Sequence, residues 1–190
     1  GSVAPEIAAF PIEPLLQRLH GQFLYQAQNK GIDLRLAPSS LVVRSDPALL
    51  EQMLRNLLAN ALKYTPKGKV LLGCRRHGDT LAIEVWDTGV GIAAESLELI
   101  FEEYRQLDTE SSPSSGGVAQ GGMGLGLSIV RRLGEMLGHA VTVRSWPGRG
   151  SVFTVAVGLE TEAAEAAAEA AARAANGHAA GGHATGGCTT

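Results

Sequence analysis

The stretch "DTGVGIAA", residues 87–94, ends the strand-like run "LAIEVW" with an aspartate and two closely spaced glycines. Its Gly89-x-Gly91-x-x-Ala94 spacing fits the dinucleotide-binding fingerprint of a βαβ unit. That fold makes a further demand: a second strand after the helix, closing about 20 positions on with an acidic residue that holds a ribose. Around Asp108 the chain instead reads "EEYRQLDTESSPSSGG", without a strand. The fingerprint also normally opens a domain, whereas residues 1–86 come first here. The dinucleotide fold therefore fails on context. No Gly-Lys-Ser/Thr is present for a P-loop either. The aspartate before the glycines needs another explanation.

Periodicity organises the rest of the chain. A first helix is expected over Pro11–Gln28, with Ile12, Leu15, Leu16, Leu19 and Phe23 on one face. "GIDLRLA" and "LVVRSD" read as short strands joined by a turn at Pro38-Ser39-Ser40. Asp46-Pro47 supplies an N-cap and a first-turn proline for a helix to about Tyr64, ended by Pro66-Lys67-Gly68. Strands Lys69–Arg76 and Thr80–Trp86 form a hairpin through "HGD", and a short helix covers roughly Glu95–Tyr104. "SSPSSGGVAQGG" breaks all periodicity and reads as a mobile loop. "GLGLSIVRRLGEML" is a third long helix, and "AVTVRS" and "SVFTVAV" close the fold around Pro147-Gly148-Arg149-Gly150.

Composition sets the outer limits. With 190 residues, 45% of them hydrophobic, the chain is one domain with room for appendages. Gly1-Ser2 looks like the scar of a cleaved tag, so residues 1–5 are taken as tag remnant or linker and 6–159 as the domain. Residues 160–190, rich in alanine and glycine, read as a flexible linker or tail. The net charge of −3 lies in that tail, in Glu160, Glu162, Glu165, Glu169 and Arg173. A body of zero net charge without a basic cluster is a poor nucleic-acid binder, and no apolar run is long enough to insert in a membrane. Two cysteines, Cys74 and Cys188, are too few for a disulfide framework, so a cytoplasmic location is the default. His178, His183 and Cys188 on glycine spacers make a poor metal site.

The helix "DPALLEQMLRNLLANALKYTPKG" carries two stripes. Leu50, Leu54, Leu57, Leu58 and Ala61 make a core face. Asn56, Asn60, Lys63 and Tyr64 fall at i, i+4, i+7 and i+8 on a neighbouring face. Asparagine is a mediocre helix former, so two in register with a lysine and a tyrosine either form a solvated face or serve a ligand. A second glycine cluster, Gly122, Gly124 and Gly126 in "GGMGLGLSIV", stands at a helix entrance, where backbone amides approach anions closely.

Together, these segments resemble the ATP-binding catalytic domain of sensor histidine kinases, within the superfamily shared with gyrase-type topoisomerases and ninety-kilodalton heat-shock chaperones. "NLLANALKYTPKG" looks like the family's N box, "DTGVGI" and "GGMGLGLSIV" like its glycine boxes, "IFEEYRQLD" like its F box and "PGRGSVF" like its closing glycine motif. The resemblance covers roughly residues 6–157. It implies the Bergerat ATP-binding fold: an α/β two-layer sandwich, a mixed sheet with about three helices on one face. Leu50, Leu54, Leu58, Ile83, Val85, Ile129, Leu133, Val143 and Val155 are the expected core.

The resemblance also implies roles. Asp87 takes the adenine amine, Gly89, Gly91 and Ile92 pass close to the base, and Tyr64 lies near base or ribose. Asn60 binds magnesium and Lys63 a phosphate. Gly122, Gly124, Leu125 and Gly126 cradle phosphates, Phe101 anchors a lid running from about Gln106 to Gly121, and Arg105 is a candidate γ-phosphate contact. In hydrolytic relatives the position of Asn56 carries a glutamate that activates water. Asparagine cannot accept that proton, and Glu51, five residues earlier, is roughly 500° around the helix. Transfer of the γ-phosphoryl to an external histidine is therefore expected over hydrolysis.

None of His20, His77 or His139 has the family's acceptor context, so a dimerisation domain outside this chain is the implied partner, with a response regulator or receiver domain after it. Glu103 departs from the family's usual F-box proline. The alternatives are an ATP-hydrolysing switch, a protein-serine kinase of the anti-sigma type, and a nucleotide-binding regulatory module without transfer.

Overall fold

A computed structural model describes residues 4–102 and 125–160. Expectations for Tyr104, Arg105, the 106–121 loop, Gly122, Gly124 and the tail beyond Glu160 fall outside these residues.

The elements are β1 (Ala8–Pro11), α1 (Glu13–Asn29), β2 (Ile32–Leu36), β3 (Val42–Ser45), α2 (Pro47–Tyr64), β4 (Gly68–His77), β5 (Thr80–Asp87), α3 (Gly126–Leu137), β6 (Ala140–Trp146) and β7 (Gly150–Leu159). Two 3-10 turns, Ala94–Ser96 and Leu99–Phe101, stand where a short helix was expected. The strands form one mixed sheet in the order β1-β3-β7-β5-β4-β2. β6 adds to β7 along Gly150–Ala156, on the edge away from β5. β2 joins β4 in parallel, and the other pairings are antiparallel.

Two local readings are corrected. Pro11 ends a strand rather than opening a helix: β1 pairs with β3, and Ile12 N–H is taken by the Leu41 carbonyl (3.1 Å), so α1 starts at Glu13. "AAFP" has no alternation to announce a strand; only its pairing with β3 makes it one. The segments around Pro38 are strands, as expected, but they part to different regions of the sheet, β2 beside β4 and β3 between β1 and β7.

α2 is the central helix. Asp46 caps it by accepting from Ala48 N (2.9 Å) and Leu49 N (3.0 Å), and Pro47 opens it. Leu50, Met53, Leu54, Leu57, Leu58 and Leu62 are fully buried against α1, α3 and the sheet. Each leucine contributes roughly 1.5–3 kcal/mol by leaving water. Of the expected core, Ile129 and Val143 are only half-buried. Gly134 packs so closely that a Cβ there would come 2.8 Å from Val141, and on that side of α3 the expected Leu133 is buried together with Val130. Cys74, half-buried in β4, has its thiol pushed up to about 12 by burial and then by Glu84, which leaves it inert at neutral pH.

Candidate functional site

Strand alternation places the site. Leu81, Ile83 and Val85 of β5 point to the helices, and the next residue in that register is Asp87. The same column in β7 runs Val157, Val155, Phe153 and then Ser151; in β6 it runs Val141, Val143 and then Ser145. Ser151 is the cross-strand partner of both Asp87 and Ser145. Three apolar columns thus end in polar residues at one end of the sheet.

Above them opens a cavity of about 100 Å³. Asp87 and Ser151 line its floor, Ile92, Ile100 and Phe153 its apolar wall, and Asn60 and Tyr64 the α2 side. Asp87 is 9% exposed. Its Oδ1 accepts from Gly89 N (2.9 Å) and Ser151 N (3.3 Å). Burial raises its pKa above the ordinary carboxylate value, and those two amides restrain the rise.

The glycines behave differently from expectation. A Cβ at Gly89 would strike the Tyr64 carbonyl, and one at Gly91, where φ is +69°, the Trp146 carbonyl. Val90 N–H donates to Tyr64 O (3.2 Å) and Gly148 N–H to Val90 O (2.7 Å). These glycines make room first for the protein's own backbone, which clamps the loop between the end of α2 and the β6–β7 turn. Gly91 also lines the cavity.

The asparagine stripe faces the start of α3. A Cβ on Gly126 would lie 3.6 Å from both Asn56 Oδ1 and Asn60 Nδ2. Leu125 precedes that helix, its carbonyl accepting from Ile129 N (3.0 Å) and Ser128 Oγ (2.8 Å). Lys63 is exposed, its ammonium 5.1 Å from the centre of the Tyr64 ring. Phe101 is half-buried against the core beside Ile100. Asn60, Tyr64, Asp87, Gly91 and Ile92 therefore line one cavity, Asn56 adjoins it through Gly126, and Arg105, Gly122 and Gly124 lie outside the described residues.

Residues 45–161 match the family described as histidine kinase-, DNA gyrase B- and HSP90-like ATPase. The chain belongs to that family. Similar to this ATPase domain are the circadian input-output histidine kinase CikA of Synechococcus elongatus, 39% identical over 78% of the chain and 20% of that protein, and the aerobic respiration control sensor protein ArcB of Escherichia coli, 39% identical over 74% of the chain and 18% of that protein. The sensor-like histidine kinase SenX3 of Mycobacterium tuberculosis is 36% identical over 84% of the chain and 38% of that protein. The chain thus spans about two fifths or less of these relatives. Full-length ShkA, solved in complex with AMPPNP, superposes with a TM-score of 0.72 at 31% identity, over 84% of the chain and 32% of ShkA. The chain is an ATPase catalytic domain of the histidine-kinase type.

Asn56, expected from the resemblance to offer no proton acceptor, turns its Nδ2 to the Gln52 carbonyl (3.0 Å). Glu51 is engaged elsewhere, by Arg18 (2.8 Å) and Arg55 (2.6 Å). Among the described histidines, His20 contacts the Leu34 carbonyl, His77 ends β4, and His139 is buried against Ser45. None lines the cavity. The residues that sequence reasoning missed are Ser145 and Ser151. Their only signal was a polar residue falling in the inward register of an apolar strand, legible once the strands are aligned with Asp87.

Proposed function

We propose that residues 6–159 bind Mg-ATP in this cavity and transfer the γ-phosphoryl to a histidine on a dimerisation domain outside this chain. The observation that carries the reading is a nearly buried carboxylate, Asp87, closing a largely apolar cavity whose other side is the asparagine stripe. Such a carboxylate accepts from the adenine amine and repels the 6-oxo group of guanine; a charge-assisted bond of this kind contributes roughly 1.5–3 kcal/mol. The AMPPNP complex of the similar ShkA supports the nucleotide class.

Asn60 offers a neutral oxygen, which suits magnesium when the triphosphate supplies the charge. No group of three His, Cys, Asp or Glu side chains among the described residues forms a metal cage of its own, so the ion would be held jointly with the phosphates. Lys63 and Gly126 stand near enough to Asn60 to serve the same phosphates, with Tyr64 toward the ribose. Asn56 cannot take a proton, and Glu51 is bound by two arginines, so the domain positions ATP without activating water; positioning and charge neutralisation do most of the work in phosphoryl transfer.

A response regulator or receiver domain is the onward acceptor, and the domain works in the cytoplasm. No helix of the described residues is long and apolar enough to cross a membrane. Calorimetric titration of ATP and GTP, with and without magnesium, tests the reading. Adenine-selective, magnesium-sensitive binding is expected, and absence of binding at millimolar ATP would overturn it.

A further inference from the structure

Resting on the adenine assignment above, we propose that Ser145, which does not itself line the cavity, determines which purines the floor accepts by fixing the proton of Ser151. Ser145 Oγ makes three polar contacts: Ile92 N–H at 2.7 Å, the Gly150 carbonyl at 3.1 Å and Ser151 Oγ at 2.8 Å. A hydroxyl has one proton and two lone pairs. The Ile92 amide can only donate, and the Gly150 carbonyl can only accept. All three contacts are hydrogen bonds in one arrangement alone. Ser145 gives its proton to Gly150, and it accepts from both Ile92 N–H and the Ser151 hydroxyl. With the Ser145 proton turned to Ser151 instead, Gly150 O and Ser145 Oγ would meet as two acceptors.

The consequence appears one residue away. Ser151 is 5% exposed and lines the cavity. With its proton committed to Ser145, its oxygen has only lone pairs left. Its own N–H is spent on Asp87 Oδ1 (3.3 Å). The floor is then a patch of acceptors, the Asp87 carboxylate and the Ser151 oxygen together. An exocyclic amine carries two hydrogens to offer such a patch. The 6-oxo group of inosine offers none at that position; the neighbouring ring N1–H is the one donor left on that edge, and the oxygen would be desolvated against acceptors. Asp87 begins the discrimination and Ser145, through Ser151, completes it. Ser145 is a positioning residue.

The test is calorimetric titration of ATP and of ITP, each with magnesium, into the full 190-residue chain and its variants. The wild type prefers ATP. In Ser145→Ala the Ser151 hydroxyl is free to turn its proton into the cavity and donate to the 6-oxo group, so the ATP-to-ITP affinity ratio falls roughly tenfold. Ser145→Thr keeps a hydroxyl and restores the ratio. Ser151→Ala removes the acceptor, lowers the ratio by a similar factor, and makes a further Ser145→Ala change without effect on it.

Ser145→Ala weakening both nucleotides equally, with the ratio unchanged, would mean that Ser145 merely braces the Ile92 loop, and would overturn the proposal. Should Ser145→Ala fail to fold, Ser151→Ala decides: an unchanged ratio there overturns it too. A wild type that binds ATP and ITP alike overturns the proposal and leaves the nucleotide site standing. A wild type that binds neither overturns both.

Discussion

Asp87, Ser151 and Ser145 close three strand columns and are tied to one another and to loop amides, whereas Asn56, Asn60, Lys63 and Tyr64 stand along one face of α2 and are ordered by little beyond the helix. The floor of the cavity and its α2 rim therefore carry different liabilities. On the floor, the backbone itself is the fitted part. Gly89, Gly91 and Gly150 lie where a Cβ would strike a carbonyl of another segment, so the floor and the fold share contacts. On the rim, Lys63 and Tyr64 are exposed and the asparagines half-buried, while the leucines on the adjacent face hold the helix. Binding and stability are coupled at the floor and separable at the rim.

The hardest blow to that comparison would come from Gly150→Ala. Gly150 has φ +109°, and its added methyl would meet the Asp87 carbonyl. Strain and overlap together should cost about 3 kcal/mol or more in denaturant unfolding, with ATP binding lost alongside. Unchanged stability would show the floor to be as pliable as the rim.

Asp87→Asn separates the floor's side chain from its backbone. ATP affinity should drop by roughly a hundredfold, while the melting temperature holds or rises. The sign follows from the raised pKa. Because the folded state keeps the Asp87 proton more firmly than the unfolded chain, ionising it lowers stability as pH rises through the window above 3.8. The amide removes that cost. On the proposed adenine assignment, wild-type ATP binding should correspondingly fade on acidification at a pH above the usual carboxylate range. Tight ATP binding by Asp87→Asn would sink the adenine assignment.

Asn60→Ala is the rim's counterpart. It should remove the magnesium dependence of ATP binding with stability changed by no more than about 0.5–1 kcal/mol, since the residue is half-buried and caps nothing. A large loss of stability would mean that the rim, too, is part of the fold.

The two regions also differed in how far the sequence disclosed them. The stripe on α2 was legible because helical spacing is local: Asn56, Asn60, Lys63 and Tyr64 share a face whatever the rest of the chain does. Asp87 was legible through its glycines. Ser145 and Ser151 were not, because their importance depends on register across β5, β7 and β6, between residues as far apart in sequence as Asp87 and Ser151. The glycines misled in a physical sense as well. They announced close approach correctly, but what approaches is first the protein's own chain at Tyr64 and Trp146. Non-local pairing also explains β1, which has no pattern of its own and is a strand because β3 offers it an edge.

The smallest effect is expected far from both regions, where stability should change without touching binding. His139 follows α3, whose C-terminus is capped by Gly138 at φ +68°, and its Nε2 lies 2.7 Å from Ser45 Oγ in a buried pair. The twelve-residue α3, which begins at Gly126, lies between Gly126 and His139, about 18 Å at helical rise. Burial holds the His139 pKa below the ordinary value of 6.5. The unfolded chain therefore takes up this proton first on acidification, so stability is fully present above pH 6.5, falls as pH drops below it, and levels off beneath the folded-state value. Asp46, beside Ser45, acts in a separate window. Burial raises its pKa, but the amides of Leu49, Glu6 and Ala48 outweigh that and leave it below 3.8, so its contribution is lost only at still lower pH. Denaturant midpoints measured from pH 8 to 5 should thus show the His139 slope alone among these two groups, and His139→Gln should flatten it. Adenine selectivity at pH 7 should be the same in both proteins. A shift in selectivity would reveal that the far end of α3 communicates with the cavity floor, and would dissolve the separation on which the comparison rests.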